Sequence, residues 1–216
     1  MTKKRTPESL FEDISQDNEV LREFKHHSWR VMYLSAMLGK KAGCYSDDLR
    51  VAALLHDIGK MALSKEILFK PGRLNSLEKT IVETHCHIGN RIVRKELGKT
   101  HAAEYIRDHH ENWDGTGYPR GLTGENITVE GRVIRICDSF DTMTYDLRNY
   151  SKVKKSSEEA FTELRECSWS QFDGNLVESF IELLSHIELP ENWYHNFDSK
   201  FLENVYGYIN KPEDFL

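Results

Sequence analysis

No stretch of the 216 residues is long and apolar enough to span a bilayer: the longest apolar segments, near 31–38 and 51–55, fall well short of the roughly 20 residues a crossing helix needs. The opening MTKKRTPESLFED is basic at its start but has no apolar core of the kind a secretory signal carries. Both gaps give the expectation of a cytoplasmic protein. Cysteine is scarce and scattered, with Cys44, Cys86, Cys137 and Cys167 forming no CxxC pair. That excludes a disulfide framework and a zinc ribbon, and it leaves reduced thiols filling core space. Basic charge is not in surplus either: 29 Lys and Arg against 35 Asp and Glu give a net charge of −6. Duplex DNA or long RNA would need the opposite bias. A small anionic ligand is still compatible, because local charge in a pocket can oppose the global sign. Strand-like alternation is rare, and no repeat or low-complexity tract is present.

What is there reads as helix, in a chain long enough to bury one substantial core. The spacing of Val20, Phe24, His27, Val31, Leu34 and Leu38 predicts a helix from about Asn18 to Lys40, ended by Gly39 or Gly43. Ser46 caps a second helix, with Asp47 and Asp48 in its first turn, running through LRVAALLHDIGK to about Gly59. LSKEILFKPGRL reads as a loop with a short helical turn. Asn75, with Glu78 three positions on, caps a third helix whose stripe is Leu77, Ile81, His85, Ile88 and Ile92. Further helices are expected at about 100–111, Val129–Thr144, from Ser156 or Ser157, and Gly174–Ile187, before an aromatic, polar tail from Pro190.

The informative residues are polar ones on apolar faces. His27 lies in the stripe of the first helix and His85 in that of the third, whereas His26 and His87 fall outside. Glu23 lies one turn before His27, and Asp138 and Asp141 share a face with Ile134. Singly, each has an ordinary explanation: a core histidine bonded to a carbonyl, a cap, a solvated acid. Jointly, five helices each offer an inward imidazole or carboxylate: Glu23 and His27, His56 and Asp57, His85, His109 and His110, and Asp138. Helical metal sites are built by such convergence. Imidazole and carboxylate without thiolate favour iron, manganese or another borderline-to-hard divalent ion over structural zinc. Eight donors exceed what one ion needs, so two or three ions sharing carboxylates fit better.

In order along the chain, HDIGK (56–60), FKPGRLNSLE (69–78), HHENWDGTGYPRGLTGENI (109–127), RVIRICDSFDTMT (132–144) and SSEEAFTELRE followed by QFDGNLVESF resemble the HD phosphohydrolase superfamily, and specifically its HD-GYP branch. The resemblance spans about residues 20–187. It implies an all-α bundle with five core helices around the metals and further C-terminal helices. The divisions are an N-terminal extension at 1–17, the HD-GYP domain at 18–189 and a tail at 190–216.

The resemblance also implies a cyclic-di-GMP phosphodiesterase of bacterial signalling, giving linear pGpG, with GMP as a further product left open. It places metal ligands at Glu23, His27, His56, Asp57, His85, His109, His110 and Asp138, a carboxylate supporting them at Asp141, and a phosphate-holding cation at Lys60. A hydroxide held between metal ions is the expected nucleophile, with Asp57 and Lys60 assigned to the catalytic machinery. Tyr118 and Arg120, in the glycine-rich turn, are expected near the pocket mouth, and Tyr118 is equally explained as loop packing. The same loop is a candidate contact for a protein partner such as a diguanylate cyclase domain.

One segment departs from the branch. Where the family often reads T-S-x-R-P-Y-R, this chain has TYDLRNYSK, which leaves Arg148 as a shifted phosphate ligand, with Lys152 or Lys154 as alternatives. Three rival readings stay open: a phosphohydrolase for another cyclic dinucleotide such as 3′,3′-cGAMP, a non-catalytic cyclic-di-GMP-binding protein, and a purely structural helical adaptor with no metal.

Overall fold

The computed structural model describes residues 5–145 and 154–185, without the side chains at 17 and 19–23. These residues form α1 (Pro7–Asp17), α2 (Glu19–Lys41), α3 (Asp47–Leu55), α4 (Lys65–Leu68), α5 (Ser76–Glu83), α6 (His85–Leu97), α7 (Thr100–Asp108), α8 (Val129–Thr144), α9 (Ser157–Glu166) and α10 (Gly174–Ser185). Among the described residues there is no strand, only two isolated bridges. The fold is all-α, as the sequence predicts, and none of these helices is long and apolar enough to cross a membrane. Arg148 and the tail from Pro190 lie outside the described residues.

The core forms around α3, which beyond its charged first turn and Arg50 is apolar throughout: Leu49, Val51, Ala52, Ala53, Leu54 and Leu55 are all fully buried. A helix with that pattern must be enclosed, and α3 is packed against α1, α2 and α7. The second large contact of α2 is α8, which is covered on its far side by α9 and α10. There Phe140 stacks on Phe161 at 5.6 Å and meets Phe180 edge-on at 5.1 Å, geometries that aromatic quadrupoles favour. α1 falls in the stretch read as an extension, yet it places Leu10 and Phe11 in the same core.

Local capping follows the sequence closely. Ser46 accepts from the Leu49 amide, and Asn75 and Glu78 form a reciprocal capping box, as do Ser156 and Glu159. α8 has the expected limits, and the 65–68 turn is helical.

Three boundaries differ from expectation, and each lies beside a histidine. α3 stops at Leu55, and Ile58–Ala62 forms a tighter 3-10 turn. This turn is pressed against α6 so closely that a Cβ on Gly59 would lie 2.0 Å from the His85 carbonyl oxygen, which explains the glycine of HDIGK. The helix expected to run through His85 breaks at Thr84, whose hydroxyl donates back to the Ile81 carbonyl at 2.6 Å. The break changes the helical phase: Leu77, assigned to the buried stripe, is 70% exposed, while Cys86, Gly89, Asn90 and Val93 of α6 turn inward. Finally, α7 ends at Asp108, leaving His109 as its C-cap.

Candidate metal centre

Helix ends leave their last carbonyls without intrahelical donors. Three histidines use that vacancy in the same way. His56 follows α3, His85 follows α5 across the break, and His109 follows α7. The Nδ1–H of each ring donates to the carbonyl three residues back: Ala53 at 2.8 Å, Val82 at 2.7 Å and Ile106 at 2.6 Å. One bond thus closes the helix end, fixes the ring and puts the lone pair on Nε2. His27, in mid-helix, is fixed by a carboxylate: Nδ1 donates to Asp141 Oδ2 at 2.7 Å. Arg30, one turn further along α2, grips both oxygens of Asp141 at 2.5 and 2.8 Å.

The free Nε2 edges converge. His27 Nε2 is 3.2 Å from His56 Nε2 and 3.2 Å from Asp138 Oδ1. Asp57 lies between two sets, with Oδ2 at 3.6 Å from His56 Nε2 and Oδ1 at 3.5 Å from His85 Nε2. Potential ligand atoms of Asp57, His85, His109 and His110 lie within 4.8 Å of one another, and so do those of His27, His56 and Asp57. Asp57 belongs to both groups. His109 Nε2 is fully buried with no hydrogen-bond partner, which is costly unless something accepts its lone pair. The donors fit divalent cations: nitrogen and oxygen, buried, and oriented from behind. Glu23 lies on α2, but its side chain is outside the described part of the structure.

Burial sets the charge state of most of these groups. It pushes the His85 imidazole down to about 4, and it holds His56, His109 and His110 below the ordinary value too, with neighbouring imidazoles adding to the shift. These rings are neutral at pH 7, as metal donors must be. For Asp57 and Asp138, burial alone would favour the protonated acid. Lys60 and the surrounding imidazoles overcome it for Asp57, and His27 for Asp138, so both stay ionised. His27 is the exception among the rings: burial opposes its charge, but Asp138 and Asp141 raise it to about 9.

A cleft of about 430 Å³ opens on this cluster, with Phe24, His27, Lys60, Phe69, His110, Arg135, Asp138 and Phe172 in its wall. Lys60 points inward, 2.6 Å from Asp57 Oδ2 and 4.4 Å from the centre of the Phe24 ring. Tyr118 is not part of the wall; its ring stacks on His110 with centroids 4.8 Å apart. Arg120, expected at the pocket mouth, instead pairs with buried Asp108, while its backbone N–H donates to Glu111 Oε1 at 2.7 Å. The reason is local: Asp108 and Glu111 are buried carboxylates needing donors, and the loop's own residues supply them. Gly117 is required by close approach and not by a positive φ, since a Cβ there would lie 2.2 Å from the Asn112 nitrogen. Gly115, at φ 83°, has the left-handed backbone expected of this turn.

Sequence reasoning missed Arg30, Arg135, Asp108 and Glu111. Arg30 had a usable signal: it lies three residues after His27 on the same inward face. Arg135 had the same signal, three residues before Asp138, whereas Asp108 and Glu111 carry no comparable periodic mark.

The HD domain family matches residues 12–176 of the chain. The chain therefore belongs to the HD-domain family. It is 36% identical over 189 residues to a "Cyclic di-GMP phosphodiesterase" of Thermotoga maritima, covering 81% of this chain and 50% of the relative. It is also 36% identical over 139 residues to a "3′3′-cGAMP-specific phosphodiesterase 2" of Vibrio cholerae, covering 63% of this chain and 26% of the relative. The chain thus spans half or less of these curated relatives. Among solved structures, an HDG"Y"P protein from Bdellovibrio bacteriovorus aligns with a TM-score of 0.60 at 20% identity, over 75% of this chain and 52% of that one, which shows the shared fold.

Proposed function

We propose that the chain is a metal-dependent cyclic-di-GMP phosphodiesterase that opens the cyclic dinucleotide to linear pGpG. The observation that carries this reading is the convergence of seven side chains on one buried point, with Asp57 common to both donor groups. The names of several relatives point to the same chemistry.

His27, His56 and Asp57, with Asp138 beside them, would hold one cation; Asp57, His85, His109 and His110 would hold a second. Glu23, one turn before His27, is the proposed donor to a third. Iron or manganese suits this donor set best. Bound divalent ions supply an acidified water and a clamp for the phosphoryl oxygens. The chain's own residues do the rest. Arg30 and Asp141 hold the His27 ring, the three helix-end carbonyls hold His56, His85 and His109, and Tyr118 braces His110. Lys60, on the cleft wall, supplies a cation for a phosphoryl oxygen.

A second reading, cleavage of 3′,3′-cGAMP, is favoured by the Vibrio cholerae relatives that carry that name at 32–39% identity. Protein loaded anaerobically with Fe²⁺ or Mn²⁺ and assayed against both dinucleotides separates the two. The proposal expects linear pGpG from cyclic-di-GMP at the higher kcat/KM. Preferential turnover of cGAMP would replace the substrate assignment. Binding of either dinucleotide without a linear product would replace the enzyme with a sensor.

A further inference from the structure

Arg135 projects from α8 one turn before Asp138 and forms part of the cleft wall beside His110. Its electrostatic situation differs from that of the other arginines around the site. Arg30 is held by Asp141, Arg120 by Asp108 and Arg132 by Asp173. Arg135 has no carboxylate within ion-pair distance among the described residues. Its NH1 is 3.3 Å from His110 Nδ1, its NH2 is 3.3 Å from Asn112 Oδ1, and its Nε is buried with no partner at all.

A guanidinium partly withdrawn from water, with no carboxylate in ion-pair range to hold it, is costly, and proteins keep such charges paired. It is costlier still beside a cluster that is to receive divalent cations. Two long contacts to neutral groups and the face of the Phe172 ring, 5.8 Å from the guanidinium carbon, do not supply a counter-charge, so the missing partner is an anion that enters from the cleft. A guanidinium also presents several donors in a fixed plane, which suits two oxygens of one phosphate. Lys60, the other cation of the wall, is already paired with Asp57.

We infer that Arg135 is a phosphate-binding residue, donating to non-bridging oxygens of the substrate's phosphodiester and doing the work that the sequence pattern would have given to an arginine near 148. The inference rests on the proposed function for the identity of the substrate, but not for the chemistry of the anion.

The test compares the Mn²⁺-loaded full chain with Arg135→Gln, Arg135→Lys and Asn112→Ala. KM and kcat for cyclic-di-GMP, calorimetric binding of inorganic phosphate, and bound metal are measured on each. Arg135→Gln is expected to raise KM about tenfold or more, and to weaken phosphate binding similarly, with metal content unchanged. Arg135→Lys should recover part of both, since it restores charge without the planar fork. Asn112→Ala, which removes the loop contact and keeps the cation, should leave KM within about twofold.

If Arg135→Gln keeps wild-type KM and phosphate affinity, or if Asn112→Ala reproduces its defect, Arg135 is a strut for the loop and the inference fails. Should Arg135→Gln not fold, the Lys and Asn112 variants decide it by the same criteria. If the wild type turns over no cyclic dinucleotide yet binds phosphate in an Arg135-dependent way, the anion site stands and the proposed function falls.

Discussion

Two sets of buried carboxylates flank the His109–His110 pair, and they do different work. Asp108 and Glu111 face donors of their own loop. Glu111 accepts from the backbone N–H of Arg120 at 2.7 Å and of Leu122 at 2.9 Å, and Asp108 takes the Arg120 guanidinium and the Thr128 hydroxyl at 3.1 Å. Every carboxylate oxygen there accepts at least one bond from within the chain. Asp57 and Asp138 face imidazole Nε2 atoms whose opposite nitrogens are largely committed elsewhere, so their surroundings hold more lone pairs than protons. A buried acid is therefore identified by its partners: amide protons mark an anchor, and crowded lone pairs mark a place for a cation.

Asp57→Ala makes the sharpest break in this contrast, because both donor groups lose a member. It is expected to reduce bound metal to less than half the wild-type content and turnover by at least about a hundredfold, followed by elemental analysis and product formation. Glu111→Ala acts on the other side. Two backbone donors lose their acceptor, which costs ~2–4 kcal/mol in chemical denaturation, while bound metal stays near the wild-type level. If Glu111→Ala empties the metal centre as completely as Asp57→Ala, the two sets are not distinct.

Asp141→Asn tests the support behind His27 and should lower metal affinity by ~10–100-fold in a competition titration with a chelator. It leaves the donor atoms themselves in place. An unchanged affinity would mean that the Arg30–Asp141 pair holds only the fold.

The smallest expected effect is a dependence on pH. His27 has a folded value of about 9 against an ordinary 6.5, so its contribution to the metal-free fold is complete below 6.5 and is lost as pH rises through 9. Asp57, held below 3.8, contributes in the opposite sense: its share is present above that value and is lost only in more acidic solution. The melting temperature of metal-free protein should therefore decline between pH 6.5 and 9, while metal affinity rises over the same range as Nε2 gives up its proton. His27→Gln should flatten the stability trend. A metal-free protein whose stability climbs through that window would contradict the His27 environment described here.

Much of this was legible in the sequence because helix phase is a strong signal. The 3.6-residue period placed His27 and His85 inside and His26 and His87 outside, and the structure shows all four so disposed. The limits of α8 and the caps at Ser46 and Asn75 were legible because capping chemistry is local. The break at Thr84 was not, since no glycine or proline marks it; it comes from a hydroxyl back-bond and from the packing of the 3-10 turn against α6. Asp108 and Glu111 were missed for a related reason. Their partners are largely backbone amides 9 to 20 residues away, and amides have no side-chain identity to read. Phase can say that an acid turns inward, but only the fold says what meets it.

The most direct test of the metal centre is elemental analysis of protein purified without oxygen or chelator. The account predicts at least two equivalents of transition metal per chain, dominated by iron or manganese. Less than half an equivalent, in protein that is otherwise folded, would contradict it.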